Sequence, residues 1–339
     1  RQDMKLIRPF LAALAAGLAC SAALAQQAVV LKLASFEPAT APITGNVLTP
    51  WAEAVSRDSG GTLRIDIFPG GTLGRNPLQQ LKLVQDGVAD ITWTVPGYTP
   101  GRFDDAEVAE LPFVVDNASE GSMAMTRLHQ KGKLAGFDEF KLLLIGTVPP
   151  VNLHGRFPMG SVADLKGKRI RSASSQMAKL VEFVGGVPVQ LGAPQVADAL
   201  SKGVVEGTLN EWNFVATFKI DQVANHHLAL PMGALTVIVP MLKSRFDALP
   251  PQAKAALEKH SGEALARRFG EAVDRVNMAT FERVKASGKN TVTVPAGADR
   301  QAWQSAVAPV TDAWRKAKPG NDALYQSFID EVKRARSGQ

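Results

Sequence analysis

The sequence predicts an α/β protein of two domains tied together by one helix long enough to span both, and three observations carry that reading. Of its 339 residues 45% are apolar, which beyond the N-terminal segment is enough for two cores. From Val29 onward, apolar stretches of strand character alternate with segments of helical periodicity, the order that builds a mostly parallel sheet. Residues 252–287 contain no proline, and Leu257, Leu265, Phe269, Val273, Val276, Phe281 and Val284 recur roughly every three to four positions. At about 1.5 Å per residue such a helix exceeds about 50 Å, too long for one small domain. Gly262 and Gly270 are its candidate bend points.

Residues 1–25 read as an export signal. Met4 is the expected start, Lys5 and Arg8 form a basic region, Phe10–Leu18 an apolar core, and Ala23-Leu24-Ala25 a cleavage site before Gln26. A membrane anchor is the competing reading, but the apolar run is short and no later stretch is long enough to span a bilayer. Cys20, the only cysteine, lies in this segment; it is a lipid-attachment candidate in Gly17-Leu18-Ala19-Cys20, with the leucine one place late for that motif. A chain cut after Ala25 has no thiol, disulfide or cysteine-ligated metal. The cut removes Arg1, Lys5 and Arg8 against Asp3 and lowers the formal charge from +6 to +4. The basic side chains are scattered, so no nucleic-acid partner is expected, and the mild positive field suits small anions.

Domain I is expected over 26–150. Val29–Ala34 is its first strand, and Phe36-Glu37-Pro38 a strand-end loop that is a candidate cleft wall. Ile43–Asp58 is a helix with Val47, Trp51, Ala54 and Val55 on one face, closed by Gly60-Gly61. Thr62–Phe68 alternates as a second strand and Leu78–Asp86 follows as a helix. Two strands joined by one helix make a right-handed crossover. Ala89–Tyr98 is a buried strand running into a loop, where Trp93 is either sheet core or cleft wall. Tyr98, beside Pro96-Gly97, offers an aromatic face and a hydroxyl in a strand-end loop. A helix Ser119–Lys131 and a strand Lys141–Thr147 complete the domain, and Pro149-Pro150 marks a hinge.

Domain II, 151–227, is entered through Leu153-His154-Gly155-Arg156, where His154 and Arg156 face either the cleft or solvent. In Lys168–Ser172 a short strand hands over to a helix that Ser174 and Ser175 can cap, which puts Arg171 at a sheet's carboxyl edge. Ligands lie at such edges, and the first unpaired N–H groups of the helix favour an anion. A guanidinium fork matches a carboxylate and stays charged at any working pH. A solvated strand-end arginine is the plain alternative. Residues 228–249 return to domain I, 250–288 form the long helix, and 289–339 add the strand Thr291–Val294 and helices at Ala298–Ala317 and Asp322–Ser337. His226-His227 invites a metal, but neighbours on a strand point apart and no further ligand stands at the right spacing. No metal or cofactor is expected.

Several runs then carry a resemblance: Asp164-Leu165-Lys166-Gly167-Lys168-Arg169-Ile170-Arg171, Gly186-Val187-Pro188-Val189 and Gly203-Val204-Val205-Glu206-Gly207-Thr208-Leu209-Asn210, with Ile67–Gly74 and Val84–Asp90 upstream. Together they resemble the DctP-type solute receptors of tripartite ATP-independent periplasmic (TRAP) transporters, over nearly the whole mature chain. The resemblance implies a type II-like periplasmic binding-protein fold and an organic acid delivered to a membrane permease. It also implies that Arg171 and Asn210 hold the ligand carboxylate. Phe36, Trp93, Tyr98, Arg156, Ser174 and Trp212 are the further candidate contacts, Trp212 and Phe214 being either an apolar wall or closure of the domain II core. A monomer is expected.

Two departures bear on the ligand. Val151 and Asn152 occupy the region where better-known receptors of this family carry a second arginine, and Ala193 stands where they often carry a bulky aromatic. A lost cation argues against a second carboxylate, and a lost large side chain enlarges the pocket. The favoured ligand is a monocarboxylate with an apolar or aromatic body; a C4-dicarboxylate or sugar acid is the alternative. A secreted hydrolase is the competing class, yet no Ser-His-Asp spacing, phosphate loop or HExxH stands out, and His129, His154 and His260 are isolated. An exported structural protein would show no small-ligand response.

Overall fold

The structure, a computed structural model, describes residues 28–338. The expected export signal and Cys20 lie outside the described residues. The chain forms two sheets, each the centre of one lobe. The first has the order β2 (Leu63–Phe68), β1 (Val29–Ser35), β3 (Ile91–Trp93), β10 (Thr236–Leu242), β4 (Phe140–Thr147). β1 pairs in parallel with β2 and β3, which sets Leu33 beside Ile67 and Ile91, while β10 runs antiparallel to β3 and β4. Both faces of this sheet are covered by helices, so its strands carry near-continuous apolar runs: Leu31, Leu33, Ile91, Val237 and Val239 are all buried. Pro240 lacks an N–H to donate, and the β10–β4 register shifts between Val239 and Pro240.

The second sheet has the order β11 (Thr291–Thr293), β9 (His226–Leu228), β5 (Asn152–Gly155), β8 (Gly207–Asn210), β6 (Arg169–Ser172), β7 (Val187–Gln190). The strand near the C-terminus therefore belongs to the second sheet, and that sheet keeps the chain through Leu228 before it crosses back. The two crossing segments lie side by side. The Val151 N–H donates to the Gly233 carbonyl at 2.8 Å, Met232 to Val151 at 3.0 Å, and Val148 to Leu235 at 3.0 Å. Pro149 and Pro150 sit within this paired crossing.

The single long helix expected over 250–288 is two helices, Pro251–Lys259 and Glu263–Ala286. Local periodicity continues through the break, but tertiary contacts override it. Gly262 adopts φ +60° and donates its N–H to the Leu143 carbonyl at 2.9 Å, while His260 Nε2 lies 2.8 Å from the Asp58 carboxylate. Gly270 is no bend: a Cβ there would sit 2.4 Å from Ser119 Cα, so glycine lets this helix press against the helix Ala118–Gln130. At that contact Asp274 accepts from the N–H groups of Ala118 (2.8 Å) and Ser119 (3.0 Å) and from the Ser119 hydroxyl (2.6 Å). One turn away, Asn277 Oδ1 accepts from the Trp212 N–H and the Val273 carbonyl accepts from Asn213 Nδ2, both at 2.8 Å. The same short stretch of helix thus grips both lobes. The closing helices also touch both: Gly297–Ala317 packs on the helix Ser175–Phe183, and Asn321–Arg336 on Ala118–Gln130.

Candidate ligand-binding site

Arg171 is the next-to-last residue of β6, and it is 1% exposed at the junction of the lobes. Its Nε donates to the Leu191 carbonyl at 3.0 Å, and its guanidinium carbon lies 5.5 Å from the centre of the Phe214 ring. Nη1 is buried with no hydrogen-bond partner among the described residues. Burial pushes the guanidinium pKa down, and Tyr98 and Glu211 hold it up. A buried donor left unmade costs roughly 1–3 kcal/mol, more when charged, so Nη1 marks a place where an anion would be stabilised.

Arg171 lines a cavity of about 30 Å³, roughly the share of one water. The first lobe supplies Phe36, Trp93 and Tyr98, all at the carboxyl ends of β1 and β3 or just beyond; the second supplies Arg171, Asn210 and Phe214. Asn210 ends β8. Its Oδ1 accepts from the Thr208 hydroxyl, which leaves Nδ2 to donate elsewhere. The rings of Phe36 and Tyr98 lie 6.2 Å apart, tilted by 60°. A ring does not fit in about 30 Å³, so a ligand carrying one needs these walls to part.

Two acids also line this cavity: Glu37, in the loop Phe36-Glu37-Pro38 expected as a wall but not singled out as a contact, and Glu211, which was not expected. Glu37 follows Phe36 directly; its Oε1 accepts from Trp93 Nε1 at 3.3 Å, and Oε2 is buried without a partner among the described residues. Burial, then the neighbouring Glu211, push its pKa up to about 8 against the bond from Trp93. Glu211, immediately after Asn210, is pushed up to about 7 by burial, with Arg171 among the influences that oppose the rise. The available signal was position: each acid directly follows a strand-end residue of the candidate site. Acidic side chains ordinarily read as surface.

Three candidates stand elsewhere. Trp212 is buried against His154, His227 and Phe281 in the second lobe, with ring separations of 4.8, 5.3 and 5.3 Å. A helix starts at Trp212, and residues two apart on a helix point about 200° apart, so Phe214 faces the cavity and Trp212 the core. Arg156 is exposed, and its Nη1 donates to the Leu200 carbonyl at 2.7 Å, at the C-terminal end of the helix Val196–Ser201. Ser174 caps its own helix by accepting from the Met177 N–H at 3.1 Å and donates to Glu110 Oε2 across the lobe junction. Beside it, Ser175 donates to Glu107 Oε1 at 2.9 Å. These contacts fasten the lobes together instead of lining the cavity.

His226-His227 forms no metal site: His227 Nδ1 lies 2.8 Å from His154 Nδ1 and its Nε2 lies 3.0 Å from Asn290 Oδ1. No cluster of three or more His, Cys, Asp or Glu among the described residues could hold a metal. A larger groove of about 920 Å³ runs over the first lobe between Gln130, Lys141 and Glu258. It is lined by charges of both signs and stands apart from Arg171.

Two α/β lobes meeting over a buried guanidinium, with rings on either side, define a solute receptor of the two-domain periplasmic binding type. The chain belongs to the family described as bacterial extracellular solute-binding protein, family 7, which matches residues 33–317, and is a solute-binding protein of the TRAP transporter type. A TRAP solute-binding protein from Rhodoferax ferrireducens, solved with copurified benzoate, is 29% identical, with 91% of this chain and 99% of that one covered and a TM-score of 0.86. A marine metagenome TRAP protein specific for aromatic acid ligands, solved with metahydroxyphenylacetate, is 29% identical over the same shares, with a TM-score of 0.85. The C4-dicarboxylate-binding periplasmic protein DctP of Rhodobacter capsulatus is 26% identical, covering 91% of this chain and 94% of its own. The family's members are extracellular or periplasmic receptors, and no helix among the described residues is long and apolar enough to cross a membrane.

Proposed function

We propose that this chain is a monomeric periplasmic receptor that captures an aromatic monocarboxylate and delivers it, chemically unchanged, to a TRAP permease. The observation that carries the reading is Arg171, which keeps a buried Nη1 without a partner among the described residues and lines one cavity with Phe36, Trp93, Tyr98 and Phe214. Arg171 grips the carboxylate with Asn210 as a second donor, and the rings bury the body of the acid. Residues 1–25 direct export and are removed. Domain I is 26–150 with the returning segment about 228–249, domain II is 151–227, and ligand contacts to both halves favour their closure. A C4-dicarboxylate is the weaker reading, because Arg171 is the one cation among the described residues lining this cavity. The relatives solved with aromatic acids support the ring-bearing class.

The test is calorimetry and thermal shift on ligand-stripped protein with benzoate, mandelate and succinate. Benzoate or mandelate should stabilise the protein and be recovered intact by mass spectrometry. Tighter binding of succinate, or turnover of a carboxylate ester, would refute the reading.

A further inference from the structure

Capture of a carboxylate by Arg171 leaves one end of the cavity unexplained. The Glu37 backbone is pinned: its N–H donates to Ser35 Oγ at 3.2 Å and its carbonyl accepts from the Gly70 N–H at 2.7 Å. The side chain is 7% exposed, Oε1 is taken by Trp93, and Oε2 is buried and unpartnered among the described residues, while Glu37 is one of the residues lining the cavity. A buried carboxyl oxygen without a partner is costly, and nothing in the fold requires it there.

The neighbourhood decides what could meet it. Glu211 is the charge that raises Glu37, and Arg171 interacts with Glu211 and Tyr98. Glu211 is thus close enough to both Arg171 and Glu37 to influence each, while Phe36, Ile43, Val95 and Val237 supply apolar wall. With its pKa pushed up to about 8, Glu37 keeps its proton at neutral pH. A neutral carboxyl both donates and accepts, and it does not repel an acid held at Arg171. That combination suits a hydroxyl group on a ring.

We propose that Glu37 sets specificity: its free Oε2 pairs with a hydroxyl carried by the body of the ligand, so the site selects hydroxylated aromatic monocarboxylates over bare ones. The inference rests on the receptor reading above and adds the substituent. A site built to hydrogen-bond a hydroxyl discriminates strongly against the analogue lacking it, because the buried partner is then left unmade.

The experiment is calorimetry at pH 7 with benzoate and its 2-, 3- and 4-hydroxy derivatives on wild type, Glu37→Gln, Glu37→Leu and Arg171→Ala. At least one hydroxy isomer should bind wild type about tenfold or more tighter than benzoate. Glu37→Leu should bring that ratio to within about twofold by weakening the hydroxy acid more than benzoate, and Glu37→Gln should keep part of the preference because an amide also donates and accepts. Equal binding of all four acids to wild type overturns the proposal, as does an equal loss of benzoate and hydroxy acid in Glu37→Leu, which marks a structural role. In both of those cases Arg171→Ala still weakens binding by about 30-fold or more and the receptor reading stands. If no acid binds wild type, or if Arg171→Ala binds like wild type, both readings fall.

Discussion

Replacing Arg171 by Ala separates a ligand-gripping arginine from a structural one. In the protein as it stands the guanidinium donates to the Leu191 carbonyl, interacts with Tyr98, lies 5.5 Å from the centre of the Phe214 ring and leaves Nη1 unmade. A hydrogen bond from a charged donor contributes about 1.5–3 kcal/mol and a cation–π contact about 0.5–2 kcal/mol, but the buried unmade donor and the cost of burying the charge offset much of this. Stability should therefore change little, with the melting temperature of unliganded protein within about 5 °C of wild type. Binding has no such offset. Truncating one partner of a buried, hydrogen-bonded ion pair costs about 2–4 kcal/mol, which weakens benzoate about 30- to 700-fold. Arg171→Lys keeps the charge but not the fork, so most of that loss should remain. Calorimetry gives the affinity and a thermal melt the stability. Affinity within about threefold of wild type in a folded Arg171→Ala protein, or a melting temperature that collapses together with affinity, refutes the reasoning.

Gly97 packs at the lobe junction, where a Cβ would meet Ser174 Cβ at 2.6 Å. Gly97→Ala should wedge the lobes apart and weaken ligand about tenfold while the unliganded melting temperature moves by no more than about 3 °C; unchanged affinity would dismiss the wedge. Asp274→Ala removes three hydrogen bonds to the start of the helix Ala118–Gln130 and should cost about 2–4 kcal/mol in urea unfolding; a loss under about 0.5 kcal/mol would contradict that account. Glu37 and Glu211 are raised from 4.5 to about 8 and about 7. Below about pH 4.5 both forms of the chain hold these protons. Above it the unfolded chain releases them first, so unliganded stability should fall as pH rises, by up to about 1.4 kcal/mol per pH unit for each acid, and level off above pH 8. Denaturation at pH 5, 7 and 9 checks the sign, and rising stability over that span would refute it.

Much of the sheet framework was legible because strand alternation and apolar runs are local signals. Val29–Ala34 and Lys168–Ser172 announce themselves, and any residue just past a strand's carboxyl end is thereby a candidate. That rule points to Phe36, Trp93, Tyr98 and Arg171, and the family resemblance adds Asn210; all five line one cavity. The rule fails where the next few residues have their own local partners. Ser174 is consumed by its cap and by Glu110, and Arg156 by the carbonyls ending a neighbouring helix. Trp212 and Phe214 needed the helix phase to be told apart, and a one-residue uncertainty in where a helix starts moves a side chain by about 100°. Gly262 breaks the long helix because of a carbonyl at Leu143, over a hundred positions away. Glu37 and Glu211 hid behind their charge, since only the assembled walls show that water is kept from them.

The hold of Glu263–Ala286 on both lobes decides what kind of motion is open to them. Asp274 is bonded to one lobe, and Val273 and Asn277 to the other, all within about one turn of the helix. In the closure proposed above that turn would act as a fulcrum, with displacement smallest beside it and growing with distance along each lever arm. A gap wide enough to admit a ring at the far rim therefore needs only a small rotation at the pivot, and sliding of one lobe past the other would tear both sets of bonds at once.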